Sequence, residues 1–176
     1  MAQTVFLDID GVLNGYKTFE EWDEELSNPK SEVRDDFYGS LLDDKCVRIF
    51  NKIIQATNAH IVISSTWRYH IISGRMTLEE FTTMLRGRGV EGTICGHTGP
   101  FDGWHRGREI ETYLILHPEI KESGYIVIDD DFTTLDSFNE ETHLVLTKLS
   151  TGITDSNAEQ AIRLLKSQLP LAAFGV

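Results

Sequence analysis

The chain has 176 residues, 40% of them hydrophobic, which suffices to bury one good core, so a single domain spanning residues 1–176 is expected. A protein that grips a nucleic-acid backbone normally shows a basic stripe, and a formal net charge of −12 disfavours long duplex partners. No apolar run approaches membrane-spanning length and the N-terminus enters a strand without a signal-peptide pattern, so a cytoplasmic protein with no membrane partner is expected.

The first expected element is a strand over Thr4 to Ile9, whose apolar Val5-Phe6-Leu7 runs into Asp8-Ile9-Asp10-Gly11. Alternation along a strand would turn Asp8 and Asp10 to one side. Two adjacent carboxylates repel by about 4 kcal/mol at close range in a surface-like dielectric, so the pair needs a shared proton or a cation. At the carboxyl end of a buried strand, where α/β sheets place their ligands, Mg²⁺ is the natural partner. A turn or helix cap is the competing explanation, since Asp favours both.

Residues 14–40 are polar with interspersed aromatics (Tyr16, Phe19, Trp22, Phe37 and Tyr38), and acids outnumber bases from Glu20 to Asp44. That stretch reads as a solvated surface, with a polyanion-repelling cap or a patch for a cationic partner as the functional alternatives. A helix is expected from about Asp43 to Thr57, with Val47, Phe50, Ile53 and Ile54 facing the core. A second strand, His60 to Ser64, leads into Ser64-Ser65-Thr66-Trp67-Arg68, whose hydroxyls and leading amides suit phosphate oxygens or a helix cap.

Thr77-Leu78-Glu79-Glu80 reads as a capping box opening a helix. Gly87-Arg88-Gly89-Val90-Glu91-Gly92 formally matches GxGxxG, but it closes a helix instead of opening one, so a dinucleotide site is rejected. A strand near Thr93 to Cys95 and a helix from Arg108 to Leu116, closed by Pro118, come next. The run Tyr125 to Ile128 reads as a buried strand ending in Asp129-Asp130-Asp131, and with Asp8 and Asp10 this second acidic cluster looks like half of one metal site. His143 to Leu146 forms a further strand, and Ser156-Asn157-Ala158-Glu159 is expected to cap a last helix with Ala161, Ile162, Leu164 and Leu165 on its apolar side. Cys46 and Cys95 fit no metal spacing and are expected as small buried hydrophobes. Strands alternating with helices imply an α/β fold, a doubly wound, Rossmann-like and mostly parallel sheet flanked by helices.

Phe6-Leu7-Asp8-Ile9-Asp10-Gly11-Val12, the run ending at Ser64-Ser65, Arg106-Gly107-Arg108-Glu109-Ile110, and Ile126-Val127-Ile128-Asp129-Asp130 follow one another in a recognisable order. The series resembles the haloacid dehalogenase (HAD) superfamily of phosphotransferases. With Ser65-Thr66-Trp67-Arg68, His143-Leu144-Val145 and Thr151-Gly152-Ile153-Thr154, it is similar to the HAD branch associated with Swiss Army Knife RNA repair proteins over nearly the whole chain. In that branch the RNA-repair label comes from associated domains, and within these 176 residues no partner ligase or kinase domain is expected.

The resemblance implies a small cap at about residues 14–40 and a Mg²⁺-dependent phosphomonoester hydrolase. Asp8 would be the nucleophile that forms an aspartyl-phosphate, and Asp10 the acid and base. Asp8, Asp10, Asp130 and Asp129 would hold the metal, Asp10 through its backbone carbonyl. Ser65, with Ser64 and Thr66 as competitors, and Arg106, with Arg68 and Arg108 as competitors, would hold the phosphoryl oxygens; arginine suits bidentate phosphate contacts. Trp67 and Trp104 flank these cations and are read either as pocket lining or as core. The implied substrate is a phosphorylated small molecule, a nucleotide or a phosphorylated nucleic-acid end. A non-catalytic phosphate- or partner-binding protein is the alternative, against which the intact pair Asp8 and Asp10 argues. Transfer to an acceptor other than water would use the same residues.

Overall fold

The computed structural model describes residues 2–15, 41–100, 105–135 and 137–168. The proposed cap at 14–40 and Trp104 thus fall almost wholly outside the described residues. Short apolar runs produce five strands here: β1 (Thr4–Leu7), β2 (His60–Ile63), β3 (Thr93–His97), β4 (Tyr125–Asp129) and β5 (Leu144–Leu146). They form one all-parallel sheet in the order β3-β2-β1-β4-β5. The helices are α1 (Asp44–Thr57), α2 (Tyr69–Ile72), α3 (Leu78–Gly87), α4 (Arg106–Leu116), α5 (Pro118–Ser123) and α6 (Asp155–Ser167).

Strand alternation sorts the core into two layers. Val5, Leu7, Ile61, Ile63, Ile126, Ile128 and Val145 pack with the buried faces of α1, α3 and α6. Phe6, Val62, Val127 and Leu144 face the other way, onto Ile110 and Leu114 of α4 and Ile120 of α5. Helices thus cover both faces, as a parallel sheet requires. No described helix is long and apolar enough to cross a membrane.

Local signals explain most helix ends. Asp43 caps α1 by accepting from the Lys45 and Cys46 amides, and Thr77 with Glu80 forms the expected capping box on α3. The glycine segment closes α3, with Gly89 at φ +84°. Other details differ. α6 is capped by Thr154 with Asn157, not by the Ser156 segment, because Thr154 is the last extended residue and its hydroxyl reaches the Asn157 amide. α4 starts at Arg106, two residues early, and Pro118 does not merely end a helix but opens α5 at a position where its missing N–H costs nothing. Cys46 is buried, whereas Cys95 lies exposed on the edge strand β3, its thiol 3.4 Å from the Ile61 carbonyl.

Candidate active site

The carboxyl edge of the sheet is held in step by backbone hydrogen bonds that continue just past the strands. The Asp8 amide donates to the Ile128 carbonyl (3.0 Å), Ser64 to Leu7 (2.9 Å), Thr98 to Ile63 (2.9 Å) and Thr147 to Asp129 (2.8 Å). The loops after β1, β2 and β4 therefore leave side by side, bringing the acidic and hydroxyl-bearing segments to one edge.

Asp8, Asp129 and Asp130 each place a carboxylate oxygen within 4.8 Å of the others. Asp8 and Asp129 are buried and Asp130 is partly open. Arg106, the first residue of α4, bridges two of them. Its guanidinium donates to Asp8 Oδ2 and, at 2.5 Å, to Asp129 Oδ2. Burial disfavours the charge on Arg106, but the combined pull of Asp8 and Asp129 raises its pKa above the ordinary arginine range. Burial also pushes Asp129 up to about 7, the Asp8 charge adding to the shift while Arg106 opposes it. Asp130 moves up for the same first reason, with Asp8 again contributing. When all three carboxylates are ionised, the single guanidinium leaves two negative charges uncompensated in this group. An all-oxygen donor set with that charge fits a hard divalent cation such as Mg²⁺.

Asp10 is placed differently from the sequence expectation. β1 ends at Leu7, and residues 9–14 turn tightly, with the Val12 and Leu13 amides both donating to the Ile9 carbonyl. Simple strand alternation therefore does not govern Asp10, and its side chain stands outside the carboxylate group formed by Asp8, Asp129 and Asp130. Instead Asn14 Nδ2 donates to its Oδ1 (2.9 Å) and Trp67 Nε1 to its Oδ2 (2.9 Å). Burial raises the Asp10 pKa, and although these two bonds pull it down the net shift is upward. Gly11 makes the turn possible with φ +71°, its carbonyl accepting from Thr147 Oγ1 at 2.7 Å.

The segment after β2 forms a one-turn helix, Thr66–Arg68. Ser65 is buried, and its hydroxyl caps that turn by accepting from the Trp67 amide (3.3 Å). Ser64 is buried with no hydrogen-bond partner for its hydroxyl among the described residues, and Thr66 is exposed. Of the three candidate arginines, only Arg106 reaches the carboxylates among the described contacts. Arg108 is exposed. Arg68 is 2% accessible and pairs with Glu109 of α4, while its Nη1 donates to the Ser64 and Ser65 carbonyls at 2.7 Å each. Asp131 caps the turn at Phe132–Thr134 and lies outside the carboxylate group.

Three contributors are not among the site residues expected from the sequence: Asn14, Glu109, and Trp67 as a hydrogen-bond donor. Asn14 sits four residues after Asp10, within reach across one turn, a usable local signal. Glu109 meets a residue 41 positions away, and Trp67 one 57 away, for which the sequence holds no local signal.

A parallel α/β sheet whose carboxyl edge gathers aspartates from two strand ends, a bridging cation and a serine loop defines the HAD class of fold, a class of phosphoesterase-type domains. The sequence profile described as the HAD domain in Swiss Army Knife RNA repair proteins matches residues 4–158, and the chain belongs to that family. No curated protein and no solved structure gave a significant match to it.

Proposed function

We propose that the protein is a Mg²⁺-dependent phosphomonoester hydrolase acting through an aspartyl-phosphate on Asp8. The observation that carries this reading is the division of labour among the acids: Asp8 shares a carboxylate group with Asp129 and Asp130, while Asp10 is held apart with a raised pKa. A nucleophile beside a cation and a separately poised acid are what in-line phosphoryl transfer needs.

Asp8, Asp129 and Asp130, with the Asp10 carbonyl, would hold the metal. When bound, Mg²⁺ would offset the repulsion between the phosphoryl oxygens and the carboxylates. Asp8 attacks phosphorus. Asp10 donates its proton to the departing oxygen, then accepts one from the water that hydrolyses the intermediate. The Ser65 loop and Arg106 hold phosphoryl oxygens, Arg106 turning part of its hydrogen-bonding capacity from the aspartates to the substrate.

Family membership directs the choice of substrate toward a phosphorylated nucleic-acid end or a nucleotide. The net charge of −12 agrees with an end, where few cationic contacts are needed, better than with a long duplex. The test is phosphate release with Mg²⁺ from mononucleotides, sugar phosphates and oligonucleotides phosphorylated at either end. Release from one class, abolished in Asp8→Asn and by excess chelator, is expected. Full activity in folded Asp8→Asn overturns the mechanism, and silence across the panel in Mg²⁺-bound protein favours a binding role.

A further inference from the structure

We infer that Trp67 is a positioning residue for the proton carried by Asp10, and that the site is built for phosphate esters of poor leaving groups, namely alkyl or ribose hydroxyls. The inference rests on the phosphomonoesterase reading and deepens it.

A carboxyl that protonates a leaving group must present one oxygen in one direction. An unrestrained aspartate turns about two bonds. Here both oxygens are engaged, Oδ1 by Asn14 Nδ2 and Oδ2 by Trp67 Nε1, each at 2.9 Å. Each carboxyl oxygen can accept more than one bond, so two donors fix the group and still leave a lone pair for the transferable proton. Both donors are themselves fixed. Asn14 is fully buried and its Oδ1 accepts from the Gly11 amide at 2.9 Å. Trp67 is 6% accessible, and its backbone amide is tied to the Ser65 hydroxyl. The indole thus links the acid to the loop proposed to carry the phosphoryl group, so that acid and phosphate are set by one rigid piece.

A buried indole N–H needs some acceptor, and a backbone carbonyl would have served. Its acceptor is instead the carboxylate assigned to proton transfer. Such precision matters only where protonation matters. As the Asp8 oxygen bonds to phosphorus and the ester P–O bond breaks, the Asp10 proton passes to the departing oxygen and yields the alcohol. Water then attacks the aspartyl-phosphate, gives its proton to Asp10, and the P–O bond to Asp8 breaks to release inorganic phosphate. An alkoxide is a far stronger base than a nitrophenolate, so an alkyl ester needs the proton and an aryl ester barely does.

The experiment compares kcat/KM, with Mg²⁺, for 4-nitrophenyl phosphate and a nucleoside monophosphate in wild type, Trp67→Phe, Asp10→Asn and the double variant. Trp67→Phe keeps an aromatic ring and removes the donor. It is expected to lose about 30-fold on the nucleotide, and at least tenfold less than that on the aryl ester, a smaller loss than the roughly 100-fold or more of removing a general acid outright, because Asp10 itself remains. In the Asp10→Asn background the same change is expected to have no further effect on the nucleotide. Equal losses on both esters, no loss, or an undiminished effect without Asp10 would each overturn the inference. Should Trp67→Phe fail to fold by circular dichroism, Asn14→Ala removes the other donor and must show the same ester-selective loss. A wild type active on the aryl ester alone overturns the leaving-group assignment. A wild type inactive on both esters overturns the phosphatase reading itself, before Trp67 enters.

Discussion

At Gly11 two demands meet. The backbone turns with φ +71°, and a Cβ built there would lie 2.4 Å from Asp130 Cγ, far inside ordinary contact. The left-handed backbone would cost alanine about 1 kcal/mol or more, but for function the steric conflict matters more. Asp130 is partly open and can swing away, so the strain is relieved by displacing that carboxylate while the core stays intact. Gly11→Ala is therefore expected to fold, with a small drop in melting temperature, and to bind Mg²⁺ at least tenfold more weakly. Isothermal titration calorimetry reads this directly, and unchanged affinity would remove Asp130 from the proposed metal site. The same logic sets the arginines apart. Arg106 touches Asp8 and Asp129, whereas Arg68, equally basic in the sequence, directs its hydrogen bonds to Glu109 and two carbonyls.

That second arginine acts at the scale of elements. Arg68 and Glu109 join the turn after β2 to the first turns of α4, the helix that begins with Arg106. Both side chains are nearly inaccessible, so removing one strands a buried charge, at a cost of about 3–5 kcal/mol. Arg68→Met and Glu109→Gln are expected to lower the urea midpoint strongly. Arg68→Met with Glu109→Leu should recover most of that stability, since an apolar pair can replace a buried ion pair. Activity should not return in the double variant, because the Ser64 and Ser65 carbonyls have lost their common donor. A double variant with wild-type kcat/KM would show that the pair only stabilises. This link also marks where sequence reading stops. The buried runs Val5-Phe6-Leu7, Ile61-Val62-Ile63 and Ile126-Val127-Ile128 announce core strands through composition, and the acids behind two of them point to the candidate site. Thr77 with Glu80 is legible because a capping box is local. Arg68 with Glu109 and Trp67 with Asp10 are settled by tertiary packing across 41 and 57 residues, where nothing in the local pattern distinguishes a strut from a ligand. Asp10 departs from strand alternation for a related reason: the strand ends at Leu7, and a rule for strands does not extend into the turn that follows.

For the molecule as a whole, the acidic edge is expected to couple the proposed metal, protons and stability. Burial raises the pKa of Asp129 from 3.8 to about 7 in the folded protein, and Asp10 and Asp130 move in the same direction. A carboxyl with a raised folded pKa binds its proton more tightly folded than unfolded. Its contribution is therefore full below the unfolded pKa and is lost as pH climbs from about 4 through about 7. A cation bound by the same carboxylates takes the place of the proton and removes that penalty. The melting temperature gained on adding saturating Mg²⁺ is thus expected to grow between pH 5 and pH 7 and to level off above, with a proton released on binding within that window. Measuring the difference with and without metal cancels the opposite pH trends of paired surface acids such as Asp155, whose pKa is lowered by Lys52. Calorimetry in buffers of different ionisation enthalpy counts the proton. A Mg²⁺ shift that is flat from pH 5 to pH 8, with no proton release, would mean that Asp129 is already ionised without the metal, held so by Arg106 and the Asp131 amide.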